Sequence, residues 1–161
     1  MPVGNQPRLD DEALFTGMYP DLRRFAAVVA SGSQNADDVL HDALANVLRH
    51  GPIGELDAPA AYIRRAIVNV ASNDRRRAAR FLHALTRLGR PEGRNQDYPS
   101  DLSDLDSLEP TDRAILYLSE VDGLTLVEVA EAVGLSYTAT RARSSRARRR
   151  LRLMINEEEL R

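Results

Sequence analysis

Apolar residues recur at three- and four-residue intervals along almost the whole chain, and no stretch shows the sustained alternation and β-branched enrichment of a strand. The pattern predicts an all-α protein. A first helix is expected over about Asp10 to Ser31, with Leu14, Tyr19, Leu22, Phe25, Ala26 and Val29 on its apolar face and Pro20 as a point of breaking or kinking. Gly32 marks the turn. A second helix starts at a cap near Ser33 or Asn35, carries Val39, Leu40, Ala43, Leu44, Val47 and Leu48 inward, and stops at Gly51-Pro52. Beyond the loop Ile53 to Ala58, Asp57 is placed to cap a third helix with Pro59 in its first turn. Its inward positions are Tyr62, Ile63, Ala66, Ile67, Val70 and Ala71; it becomes Arg-rich at Asp74 and extends to about Leu88.

Residues Gly89 to Ser107 combine Gly, Pro, Ser, Asn and Asp with little apolar content, as a linker does. The expected organisation is a flexible tail 1–9, a helical bundle 10–88, a flexible linker 89–107 and a second helical domain 108–161. Such a tether lets the two domains either pack together or separate, and the free protein is expected to move as two bodies. In the second domain Pro110 to Val121 forms a helix that Gly123 breaks, and Thr125 with Glu128 makes a capping box opening Leu126 to Val133. The tight turn Gly134-Leu135-Ser136 then leads into a long helix from about Tyr137 to Ile155. Two helices joined by a short Gly-containing turn form a helix-turn-helix.

Charge sharpens this picture. The formal net charge of -2 over 161 residues conceals blocks of alternating sign: 1–57 hold 4 Arg and 9 acids, 58–94 hold 9 Arg and 2 acids, 97–131 hold 1 Arg and 10 acids, and 134–152 hold 7 Arg and no acid. Two basic segments on an otherwise neutral chain suit two polyanion-binding elements, since local charge sets the field that a phosphate meets. Every basic residue is Arg, which suits bidentate phosphate or guanine contacts and also fits a biased genome. With no cysteine, disulfide frameworks, zinc ribbons, thiolate catalysis and iron-sulfur clusters are excluded, and three histidines alone make no crowded metal site. No apolar run approaches the roughly 20 residues of a membrane helix, and the N-terminus lacks a signal pattern, so a cytoplasmic protein without membrane insertion is expected.

The long Arg-loaded helix carries the more specific chemistry. Residues near the start of a recognition helix reach base edges, and later ones meet phosphates. Arg141, Ala142 and Ser145 are the expected base readers; Tyr137, Thr138 and Arg146 are the expected backbone clamps, with Arg143 and Arg149 on the same helix.

These residues resemble the extracytoplasmic-function (ECF) type of bacterial RNA polymerase sigma factor. Ala36-Asp37-Asp38-Val39-Leu40-His41-Asp42-Ala43-Leu44 resembles the family's acidic helix A-E/D-D-L-V-Q-E-x-F. Tyr62-Ile63-Arg64-Arg65-Ala66-Ile67-Val68-Asn69 resembles W-L-x-x-I-A-x-N, followed by Asp74-Arg75-Arg76-Arg77. Leu108 to Arg152 resembles L-P-x-x-x-R, then G-x-S/T-x-x-E-I-A, then the recognition-helix pattern ending in L-R. Both halves match in order.

The resemblance implies a sigma2-like domain joined to a sigma4-like domain, acting as a promoter-specificity subunit without catalysis or cofactor of its own. It implies docking on the clamp of core RNA polymerase through Asp37, Asp38, Leu40, His41, Asp42 and Val47, a further contact with the polymerase flap, and an anti-sigma factor as regulator. It further implies capture of a flipped minus-ten base. Asn69 matches the pocket asparagine, and Ile53, Glu55 and Asp57 lie in the loop that closes over the base. Tyr62, Arg64, Arg65, Asn73, Arg75, Arg76 and Arg77 complete that surface, the arginines holding phosphates. The minus-thirty-five element falls to the helix beginning at Tyr137.

Some positions depart from the family pattern. Tyr62 replaces Trp, His41 stands where Gln is common, and Thr138, Ala139, Thr140 and Ser144 replace G-T-V and a buried Leu, which predicts a less stable face or different packing. Two other readings remain at this level. One is a helix-turn-helix regulator that does not act through polymerase; the other is an enzyme holding a metal through Asp37, Asp38, His41 and Asp42. Neighbouring helix positions point to different faces, which counts against the second.

Overall fold

The computed structural model describes residues 7–30, 32, 34–89 and 107–160. Six α-helices and one 3-10 turn make up the regular structure of these residues. Residues 1–6 of the expected tail, and all of the expected linker but its end residues Gly89 and Ser107, lie outside the described set.

Helix α1 (Pro7–Val29) begins a little before its expected start and runs on through Pro20. Helix α2 (Ala36–Leu48) is capped by Asn35, whose side chain accepts from the Asp37 and Asp38 amides at 2.8 and 3.3 Å. Those two carboxylates also sit in the first turn, where the helix dipole favours negative charge. A 3-10 turn (Ile53–Glu55) leads to α3 (Pro59–Arg87). Asp57 does not cap α3: the N-cap is Ala58, with no side-chain hydrogen bond. Pro59 needs no amide partner at that position, so the helix opens without a side-chain cap.

In the second half, α4 (Pro110–Glu120) precedes α5 (Leu126–Val133), which opens on the Thr125–Glu128 capping box and closes on Gly134 at φ 72°. Helix α6 (Tyr137–Glu159) continues past Ile155. Ser136 opens it by accepting from the Ala139 amide at 3.1 Å.

The two halves pack together, one of the two arrangements that the tether permits. Ala114, Ile115 and Leu118 of α4 and Val129 and Val133 of α5 belong to the same buried cluster as Leu22, Phe25 and Val29 of α1, Leu40 and Val47 of α2, and Ile63 and Ile67 of α3. Phe25 meets Tyr117 edge-on with ring centroids 5.6 Å apart. Each fully buried side chain of this size contributes about 1.5–3 kcal/mol, so a shared core gives the closed arrangement a substantial apolar basis. A smaller cluster of Leu108, Leu116 and Ala147, with Leu151 against it, ties α6 to α4.

Thr140 and Ser144 are packed on that inner side of α6, at 0% and 2% exposure. The Thr140 hydroxyl donates to the Ser136 carbonyl at 2.9 Å, so its burial leaves no lost hydrogen bond. Among the described residues no helix is long and apolar enough to cross a membrane.

Candidate nucleic-acid interface

The cap at Ser136 and the burial of Thr140, Ser144 and Ala147 fix the rotation of α6. Tyr137, Thr138, Arg141, Ala142, Ser145, Arg146 and Arg149 are left exposed, and their spacing of four places them along one outward stripe. Arg143 is the exception among the expected readers. It turns inward to Asp112 at 2.8 Å and lies 3.7 Å from Glu109, so its guanidinium holds the start of α4. Arg148 is likewise engaged, 2.7 Å from Glu120.

A second surface is built on α3. A cavity of about 190 Å³ is walled by Asn46, Val47, His50, Tyr62, Arg65, Ala66 and Asn69. Asn69 and Arg65 are exposed here. Tyr62 is 45% exposed and does not point into the core, which corrects its place on the apolar face of the helix. The wall from α2 was not anticipated. Asn46 lies in the last turn of α2 and His50 two residues beyond its end, and His50 Nδ1 sits 2.9 Å from the Asn46 carbonyl. A carbonyl only accepts, so Nδ1 carries the proton and Nε2 of the neutral ring is an acceptor. The four-residue spacing of two polar side chains beside Gly51-Pro52 is the sequence signal for this wall.

The loop 53–58 contributes no wall to the cavity. Ile53, expected over the base, is 1% exposed and part of the core. Glu55 and Asp57 remain exposed. The 3-10 turn is held by Asp11, whose carboxylate accepts from the Ile53 and Gly54 amides at 3.2 and 2.8 Å, a contact across more than forty positions. Asn73, Arg76 and Arg77 are exposed, whereas Arg64 and Arg75 are half-buried against the second half of the chain.

The acidic surface of α2 is smaller than expected. Asp38, His41 and Asp42 are exposed. Leu40 and Val47, expected on the polymerase-docking surface, are core residues at 0% and 3% exposure, and Val47 also lines the cavity beside Asn69. Asp37 bonds Arg23 at 2.9 Å and accepts from the Tyr19 hydroxyl at 3.4 Å, and its hydrogen bond and charge hold the Arg23 guanidinium still more firmly protonated. Asp38, Asp42, Asp74, Arg77 and Phe81 line an open groove between α2 and α3. Among the described residues no three His, Asp or Glu side chains gather as a metal site would require.

Taken together, an all-helical chain with a helix-turn-helix and two Arg-rich helix faces is the class that the geometry defines. Residues 105–151 match the family Sigma-70, region 4. The chain also superposes on the sigma factor RpoE of Bartonella quintana, solved in complex with the anti-sigma factor NepR. That match has a TM-score of 0.65 at 22% identity and covers 91% of this chain and 97% of that one. No curated protein matches the chain in sequence. Residues 105–151 are thus similar to a sigma-70 region 4 module, and the chain as a whole shares the fold of that solved structure. Both findings bear out the resemblance to ECF-type sigma factors.

Proposed function

We propose that this chain is a promoter-specificity subunit of RNA polymerase. It binds core enzyme, directs it to promoters and helps to open the minus-ten DNA, with no catalytic activity and no cofactor of its own. The carrying observation is the outward stripe Tyr137, Thr138, Arg141, Ala142, Ser145, Arg146 and Arg149 on a helix inside the matched region 4 segment. A helix bearing hydroxyls, small side chains and arginines on one face enters a major groove with donors for guanine and phosphate.

The cavity beside Asn69 supports the second half of the reading. Extruding a base costs a few kcal/mol, recovered by stacking and by hydrogen bonds to its edge. Tyr62 offers a ring and Asn69 both a donor and an acceptor. Asp38, His41 and Asp42 form the expected polymerase contact, with Asp37 partly committed to Arg23. The solved relative is bound to an anti-sigma factor, which supports a partner of that kind for this chain. Organisation into a sigma2-like unit over 10–88 and a sigma4-like unit over 108–161 belongs to the same proposal. Its first test is co-purification with bacterial core RNA polymerase: stable association is expected, and DNA binding without core association moves the chain to the helix-turn-helix regulators.

A further inference from the structure

The loop to which the resemblance gives the choice of minus-ten base does not reach the cavity beside Asn69. Ile53 is buried in the core, the 3-10 turn is tied to Asp11, and no residue of 53–58 lines the cavity. Its polar walls come from α3 and from the end of α2, where Asn46 and His50 stand. Pockets for drug-sized ligands run to about 300–1,000 Å³, so a cavity of about 190 Å³ suits one flat heterocycle. Most of these polar groups adapt to what enters: the Tyr62 hydroxyl rotates, and the Asn46 and Asn69 amides turn over to offer either oxygen or nitrogen. Two do not. Arg65 is donor-only and already donates to the Glu131 carbonyl in the last turn of α5. His50 is fixed by the contact of Nδ1 with the Asn46 carbonyl at 2.9 Å, which leaves Nε2 of the neutral ring as an acceptor.

We propose that His50 sets the identity of the captured base and selects one with an exocyclic amino group, adenine or cytosine. The inference rests on the proposed function and names the specificity of that site. Adenine N6 and cytosine N4 donate where guanine O6 and thymine O4 accept. Against His50 Nε2 an amino group makes a hydrogen bond, whereas a carbonyl oxygen sets two acceptors against each other and leaves both unpaired. Asn69 and Tyr62 serve all four bases on similar terms, since their polar groups reorient and every base has a face to stack on. Discrimination therefore falls to the one acceptor that the main chain holds in place. His50 is exposed and belongs to no part of the core, so replacing it alters the site without removing apolar packing.

The test uses core RNA polymerase carrying the full chain, on a promoter recovered with it from genomic fragments and varied one base at a time through the minus-ten element. One position is expected at which adenine and cytosine are transcribed about fivefold or more above guanine and thymine, the worth of one hydrogen bond. His50→Phe keeps a ring in the wall without the acceptor and is expected to bring the four bases close to parity. Unsubstituted purine in place of adenine deletes the donor from the other side; it is expected to cost the wild-type chain about fivefold and His50→Phe nothing further. The proposal is overturned by a wild-type preference for guanine or thymine, by a His50→Phe chain that keeps the wild-type preference whether or not its overall activity falls, or by a preference that shifts with Glu55→Gln in the loop. Transcription by the wild-type chain reports separately on the sigma-factor reading: its success beside an unmoved preference in His50→Phe sinks the assignment of His50 alone, and its absence sinks the reading and the assignment together.

Discussion

Arg113 of α4, 4% exposed, donates to the carbonyl oxygens of Val28 and Ala30 at the end of α1, at 3.3 and 2.9 Å. The same side chain donates to the Leu108 carbonyl at 3.2 Å. One buried guanidinium thus satisfies the end of a helix more than eighty positions away and joins the two halves. Arg113→Met is expected to lower stability by about 2–4 kcal/mol, because it leaves buried carbonyls without donors. Urea unfolding of the full chain measures it, and a loss below 0.5 kcal/mol, the ordinary scatter of surface changes, contradicts the assigned role.

The α5 cap gives a pH signature. Hydrogen bonds from the Thr125 amide, and then from its hydroxyl, hold the Glu128 carboxyl below its ordinary value of 4.5. The unfolded chain therefore binds this proton more readily than the folded one. The cap's stabilisation is complete above the ordinary glutamate value and is lost as pH falls through the lower folded one. Glu128→Gln is expected to flatten that part of the stability profile, followed as melting temperature between pH 3 and 6. Thr125→Ala is expected to cost about 1 kcal/mol at neutral pH. An unaltered acid profile in Glu128→Gln contradicts the assignment.

Much of this architecture is legible in the chain, and the limits are physical. The caps at Asn35, Thr125 and Ser136 and the stop at Gly134 are local signals, readable within four residues, and each helix start or stop they mark is found in the structure. Side-chain direction is less local. Tyr62 fits the inward period of α3 but faces the cavity, whereas Leu40, Val47 and Ile53 match motif positions of a docking surface but fill the core. Arg143 looks like its neighbours in sequence and differs only because Asp112 is folded against it. Asp11 on the 3-10 turn, Arg113 on α1 and Arg65 on α5 are long-range pairings, and no periodicity or spacing announces them.

Asn69 and the α2 wall define the next expectation. Asn69→Ala is expected to leave core-polymerase binding intact while lowering promoter opening about fivefold or more, the worth of one lost hydrogen bond to a base. Permanganate reactivity of unpaired thymines reads opening, and co-elution reads core binding. An equal loss of both removes Asn69 from the pocket.

Two arginines only two positions apart separate reading from scaffolding. Arg141→Ala is expected to weaken binding of the upstream element by about 1–3 kcal/mol and to relax base preference at one position. Arg143→Ala is expected to act through the Asp112 contact, lowering the stability of the second half by about 0.5–1 kcal/mol with base preference unchanged. Competition binding with single-base variants of the element distinguishes them, and a sequence-independent loss in Arg141→Ala makes it a phosphate clamp.

The most direct measurement is run-off transcription from a genomic fragment library by core RNA polymerase, with and without the purified chain. New, discrete start sites that depend on the chain, and that share elements spaced for its two DNA-binding surfaces, are the predicted result. Start sites identical in both reactions, from a chain that still binds duplex DNA, contradict the sigma-factor account.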